Sequence, residues 1–325
     1  MKEQKKMTDL GEVIPDRGLH LLAISLAAMT LMLLAAGALV TSNEAGDSVP
    51  DWPLSFGRWL IRSNYFVANV RFEYSHRIIA ATVGLITAIL AVRAWTKERR
   101  SLIRKLALVA FAGVLAQALL GGVRVLFFDH KPLIAPLHAL IAQSFFGLVV
   151  ALVLLTSADW WKLKPLKEDA RFPSTRRLTV ITVCAVLMQL VLGAGFRHGA
   201  FGILPHVVGA LVVSSLVIWT ALIILHRYGG DAYLRRPTLT TLVLLSCQVA
   251  LGILAYVARL KSRFDAQPLE PMISLTVAHV VVGALTLASL LVLTLRCWRT
   301  LSPVRERIGQ TQVSFAPSGQ VIAEL

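Results

Sequence analysis

The sequence predicts an all-α membrane protein of eight transmembrane helices, built as two pseudo-symmetric four-helix bundles from a parallel internal repeat. Three observations carry this. Of 325 residues, 56% are hydrophobic and 16% charged, with a mean hydropathy of +0.69, far from the balance of a soluble core. Eight apolar runs approach the ~20 residues that a bilayer core requires. A Gln-x-x-x-Gly pattern recurs along the chain, each time followed by a short loop and a helix with a histidine near its start.

The runs fall at roughly 20–42, 73–95, 105–127, 134–156, 178–196, 205–225, 239–258 and 272–295. The first is too long for a signal-peptide core and lacks a clear small-residue cleavage site, so it reads as a retained span. The net charge of +15 would suit nucleic acid, but its distribution excludes that partner. Segments 93–105, 157–177, 226–237 and 296–325, with the N-terminal tail, hold 23 of the 33 Lys and Arg. Such asymmetry is a topology signal, and it puts both termini in the cytoplasm. Residues 1–19 are then a cytoplasmic tail, 20–156 the first half, 157–177 a cytoplasmic linker, 178–295 the second half and 296–325 a second tail. Beyond Arg307 that tail is polar and reads as disordered.

The long outer loop, 42–70, contains Gly46-Asp47-Ser48-Val49-Pro50-Asp51-Trp52-Pro53-Leu54. Its prolines and tryptophan predict an ordered turn with an interfacial anchor. The second helix opens with Glu73, His76 and Arg77, which share one helical face. Ionisable groups at the mouth of a membrane helix are expensive there and mark function by default. The third, fifth and seventh helices carry Gln117…Gly121, Gln189…Gly193 and Gln248…Gly252, whose glycines permit close helix approach. Cys184, Cys247 and Cys297 have no metal-ligand spacing and read as packing residues.

Four of the eight histidines fall one per even-numbered helix, toward the outer end: His76, His138, His206 and His279. No acids or thiols cluster with them as a zinc or copper site would need. Two histidines on facing helices of a bundle suit the axial positions of a haem, pairing His76 with His138 and His206 with His279. Arg77, Arg124 and Arg197 are placed for the propionates, with snorkelling to lipid phosphate as the alternative. His20, His130, His198 and His226 read as interfacial or solvated, with a minor site role left open for His198. Aligning the halves sets Ile203 against Glu73, so only the first half has an acid beside its pocket. The alternative for Glu73 is a salt bridge to Arg77.

These residues resemble the haem A synthase family over about 20–296. Glu73-Tyr-Ser-His76-Arg77 matches its Glu-x-x-His-Arg motif, and Gly46 to Ser55 matches its loop motif Gly-x-x-Cys-Pro-Asp-Trp-Pro-Leu-Cys. Val49 and Ser55 replace the two loop cysteines, which other members also lack, so no electrons can pass through a loop disulfide here. The resemblance implies oxidation of the haem O methyl group to a formyl group by two hydroxylations and loss of water. By the same resemblance, His76 and His138 frame the substrate, His206 and His279 ligate haem b, and Glu73 assists proton transfer. Its apolar setting favours the protonated form. An iron with two histidine ligands has no open position, so either a substrate-side histidine leaves or the methyl group loses electrons by an outer-sphere route. The partners implied are the lipid bilayer of the cell (inner) membrane, haem O, a haem O synthase and an electron donor that no residue identifies; homo-oligomerisation is left open.

Two rivals use the same histidines: a di-haem b-type cytochrome for electron transfer, and an inactive haem-binding assembly factor. A transporter would call for broken helices or charges near the midplane, and the runs show no such charges.

Overall fold

The computed structural model describes residues 16–126, 131–162, 167–169, 171–261 and 269–302. His130, most of the N-terminal tail and the tail beyond Arg307 lie outside them. Among the described residues eight helices are long and apolar enough to span a membrane. They are α1 (Arg17–Ser42), α2 (Val70–Lys97), α3 (Ser101–Leu126), α4 (Lys131–Thr156), α5 (Thr175–Arg197), α6 (Leu204–Tyr228), α7 (Ala232–Lys261) and α8 (Glu270–Thr300). The chain is an all-α, eight-span membrane protein.

The helix starts have local causes. Asp16 caps α1 by accepting from the Gly18 and Leu19 amides at 2.9 and 3.3 Å, and Ser174 caps α5 through the Arg177 amide. Pro205 and Pro271 occupy the first turns of α6 and α8, where a missing N–H costs nothing. The helices α7 and α8 run 30 and 31 residues, past their apolar runs. Their basic ends are tied together: Arg296 at the end of α8 donates to the Tyr233 carbonyl at 2.9 Å and lies 4.2 Å from that ring's centre.

Helix contacts close two rings. In the first half α1 packs on α2, α2 on α3, α3 on α4 and α4 back on α1; in the second, α5 to α8 repeat this order. The halves meet where α1 and α4 pack on α8, and α4 on α5. Phe146, Ala284 and Ala288 form a buried cluster at that seam. The main cores lie toward the face where Lys and Arg collect. In the first half they involve Leu26, Leu90, Ile103 and Leu152; in the second, Val217, Ile224, Leu234 and Leu290. The four even-helix histidines lie toward the opposite face, beyond these clusters.

The segment between the halves has structure of its own. Lys167–Glu168 (β1) pairs in parallel with Leu301–Ser302 (β2), directly after α8. Asp169 follows, accepting from the Thr175 and Arg176 amides at 3.0 Å each and from Ser174 Oγ at 2.8 Å. Burial pushes the Asp169 pKa up, but these donors prevail and hold it below the usual carboxylate value.

Candidate functional site

One contact occurs four times. Each even-helix histidine lays its ring edge on a glycine of the preceding helix. A methyl group added at Gly37, Gly121, Gly193 or Gly252 would meet Cε1 of His76, His138, His206 or His279 at 3.1, 3.8, 2.9 and 2.9 Å. At Gly37, Gly193 and Gly252 the glycine is needed because the helix backbone is one wall of the histidine's seat, whereas at Gly121 a methyl would make an ordinary contact.

In the second half this brings the His206 and His279 rings together in an edge-on arrangement. Their ring centres are 6.4 Å apart and their planes 84° apart. Two metal–nitrogen bonds of about 2.0–2.1 Å, plus roughly 1.1 Å from each nitrogen to its ring centre, give roughly 6.3 Å. The spacing of the ring centres matches two imidazoles sharing one metal. The described residues contain no group of three or more His, Cys, Asp or Glu able to hold a metal ion, so a further protein ligand set is absent there. A haem, which supplies four nitrogens of its own, matches a two-histidine site.

In the first half His138 and Arg124 lie within electrostatic range of His76, and Arg124 within range of His138. Nδ1 of each histidine is buried and makes no hydrogen bond. Above them the long loop folds down onto the helices. Trp52 sits against Gly122, where an added methyl would meet Cδ2 at 2.5 Å. Arg124 lies over Gly46 in the same manner, Nη2 falling 2.6 Å from an added methyl. The ordered turn expected at 46–54 is present: Val49 is fully buried, and Asp51 accepts from the Phe56 and Gly57 amides at 2.7 Å each. Burial raises the Asp51 pKa, but those amides outweigh it and leave the carboxyl below its ordinary value.

Glu73 and Arg77 hold this loop in place. Glu73 Oε1 accepts from Arg77 Nη2 at 2.7 Å, and Oε2 accepts from the Val49 amide at 2.9 Å. Arg77 also donates to the carbonyls of Asp51, Leu54 and Val49 at 2.7, 2.9 and 3.1 Å, and to Ser55 Oγ at 3.4 Å. The salt bridge weighed as the alternative for Glu73 is thus present, and both carboxylate oxygens act as acceptors. Val49 and Ser55, the positions where the resembled motif has cysteines, are joined through Arg77. Every hydrogen bond described for Arg77 goes to this loop or to Glu73, which leaves Arg124 and Arg197 as the arginines facing the histidine region. Arg197 bonds Ser42 Oγ at 2.7 Å, linking the halves at this face.

His198 belongs here as well. Burial, then Arg124, Arg197 and His138, lower its pKa to about 4, so it is neutral at pH 7. A sequence reading that treats it as a loop residue misses this placement. The only signal was its position next to Arg197. The glutamines likewise prove more than repeat markers. Gln117 Nε2 donates to the His138 carbonyl at 3.1 Å and Gln189 Nε2 to the His206 carbonyl at 2.8 Å. Gln248 accepts from His279 Nδ1 through its own backbone carbonyl at 3.0 Å.

Fold and site together define an eight-span membrane protein with two helix rings, each presenting two histidines toward one face. Comparison with known proteins narrows this. Residues 61–204 match the profile of a family described as cytochrome oxidase assembly protein. The chain is similar to the haem A synthase of Alkalihalophilus pseudofirmus, with 34% identity over 178 residues, covering 52% of this chain and 56% of that one. It is 35% identical over 131 residues to the haem A synthase of Halalkalibacterium halodurans, covering 40% and 43%. With the haem A synthase of Geobacillus thermodenitrificans it shares 25% identity over 223 residues, covering 67% and 59%. Over these stretches the chain is similar to haem A synthases. Its matches span about half the length of these relatives.

Proposed function

We propose that this protein is a haem A synthase of the cell membrane, with both termini cytoplasmic, which converts the haem O methyl group to a formyl group by successive hydroxylations. The observation that carries the reading is the pair of two-histidine seats, only one of which has an acid beside it. Haem O as substrate would lie between His76 and His138, under the loop that Glu73 and Arg77 hold. His206 and His279 would hold a haem b, which supplies one-electron chemistry when bound. Arg124 and Arg197 offer cations for propionates. The loop covers the first site and limits water there. Glu73, buried and one turn from His76, can pass a proton only if its bond to Arg77 or to the Val49 amide loosens. A haem O synthase and an electron donor would be the partners.

The test is pigment extraction from a host that makes haem O but no haem A, expressing this chain. Haem A should appear with the unaltered chain and vanish in Glu73→Ala while the haem b spectrum remains. Haem b without haem A would instead make the protein a di-haem cytochrome or an inactive haem-binding factor.

A further inference from the structure

The outer loop has a second part, residues 55–69, that lies outside the histidine site. Phe56 and Gly57 take positive φ values of 53° and 70°, and Ser55 and Arg58 exchange backbone hydrogen bonds of 2.8 and 3.2 Å across them, forming a tight turn. Asp51 holds the same two amides, and the Phe56 ring stacks on Tyr65 at 4.8 Å, so the chain beyond the turn is tied back to its start. The side chains this ordered segment turns outward are apolar. Trp59 and Leu60 are 76% and 74% exposed, and Phe66 and Val67 are roughly half exposed. Arg58, Arg62 and Arg71 are exposed beside them, and residues 55–72 contain no acid.

Where the segment lies follows from α2. The Ile61 amide donates to Tyr74 Oη at 3.4 Å, and the Phe66 ring meets the Tyr74 ring edge-on at 6.5 Å. Tyr74 is one turn before Ile78, which heads an exposed stripe of Ile78, Ala81, Leu85, Ile89 and Val92, the lipid-facing side of the span. At 1.5 Å per residue the 28 residues of α2 measure about 42 Å, the thickness of a bilayer with its headgroups. The first turns of α2, and the segment leaning on them, therefore lie in the headgroup layer. The interfacial tryptophan expected in this loop is Trp59, since Trp52 sits against Gly122.

We propose that residues 58–67 are a membrane anchor. Trp59, Leu60, Phe66 and Val67 enter the lipid interface on the histidine side, and Arg58, Arg62 and Arg71 bind the phosphates of anionic phospholipids. The inference goes beyond the haem reading and does not depend on it. An ordered apolar patch of this kind marks an interaction surface, and its place at the rim of the lipid-facing stripe makes the occupant lipid rather than a water-soluble partner. Aromatic rings with a polar edge favour headgroup level, and guanidinium groups match phosphate bidentately. The anchor runs directly out of residues 49–55. The cover over His76 and His138 is thus held from two sides, by Glu73 and Arg77 beneath and by the bilayer at its edge.

The test uses the full chain in phosphatidylcholine nanodiscs, with or without phosphatidylglycerol. A nitroxide is placed by Leu60→Cys together with Cys184→Ala and Cys247→Ala, Cys297 being buried. Oxygen, which concentrates in lipid, should relax this label more than a water-soluble nickel chelate does. A label more open to the chelate than to oxygen overturns the proposal and gives the patch to a soluble protein partner. In the unaltered chain, hydrogen exchange at the Trp59, Leu60 and Ile61 amides should slow on adding phosphatidylglycerol, by roughly five-fold per arginine engaged and about 100-fold for three. Combining Arg58→Gln, Arg62→Gln and Arg71→Gln should abolish that difference and leave α7 amides unchanged. Exchange equal in the two lipids, or a lipid difference that survives the three substitutions, overturns the arginine assignment. Where the variants fail to fold, the lipid comparison on the unaltered chain decides alone.

Discussion

Arg77→Met should release the outer loop while leaving the helices folded. The substitution removes an ion pair of 2.7 Å and donors to three loop carbonyls. It leaves Glu73, whose side chain is 5% exposed, as a buried charge without its cation. Removing one partner of a buried pair costs about 3–5 kcal/mol. At about 1.4 kcal/mol per factor of ten, the opening equilibrium of the loop should rise by roughly two to three and a half orders of magnitude. The cost falls on the loop because the Trp52 and Val49 contacts can separate without disturbing the core clusters below. Hydrogen exchange of the Val49, Phe56 and Gly57 amides should report it, with amides in α7 unchanged. Adding Glu73→Gln removes the stranded charge, so the double variant should recover most of the loss, leaving about 1 kcal/mol per neutral bond missing. Loop exchange that is unchanged in Arg77→Met, or equal in the single and double variants, would refute the staple and return Arg77 to the haem propionates.

Three further outcomes follow. Gly193→Ala and Gly252→Ala each place a methyl 2.9 Å from a histidine Cε1, whereas Gly121→Ala places it at 3.8 Å; the first two should cost about 1–3 kcal/mol and lower haem retention on gel filtration, and the third should be nearly silent. The Asp51 carboxyl is depressed in the folded protein, so its contribution is full above an unfolded value of about 3.9 and is lost as pH falls through the lower folded one; exchange at Phe56 and Gly57 should therefore be flat from pH 7 to about 5 and accelerate only in stronger acid, beyond the intrinsic rate. Asp169→Ala removes acceptors for two α5 amides and the Ser174 hydroxyl, so it should cost about 1–2 kcal/mol and expose the linker to protease.

The spans were legible because a bilayer requires long apolar runs, and only the helix ends moved. The helix α5, whose apolar run spans 178–196, extends to 23 residues because Ser174 and Asp169 cap it before that run begins. The four histidines were legible from position within each even helix, and the glycines from their spacing. What the spacing could not show was who faces whom across helices. Gln189 and His206 are 17 residues apart, and Gln248 and His279 are 31 apart. Their pairing depends on the offset between neighbouring helices, which a linear pattern leaves free. Arg77 illustrates the same limit. One helical face allows it either a propionate or a loop, and the choice follows from how far residues 49–55 fold back. His198 reached the first site only because α5 packs on α4 across the seam.

The two halves therefore differ in what surrounds a shared seat. In the first, the glycine wall is kept, but polar contacts have moved from the imidazoles to the loop: Glu73 and Arg77 secure residues 49–55 and neither imidazole Nδ1 is bonded. In the second, the short connection from α5 to α6 brings no such loop, and the polar side chains grip the rings themselves. A buried polar group needs a partner in either case. A glutamine four residues before the glycine does not by itself decide which arrangement forms, because Gln117 in α3 reaches the His138 carbonyl and leaves the His138 Nδ1 unbonded.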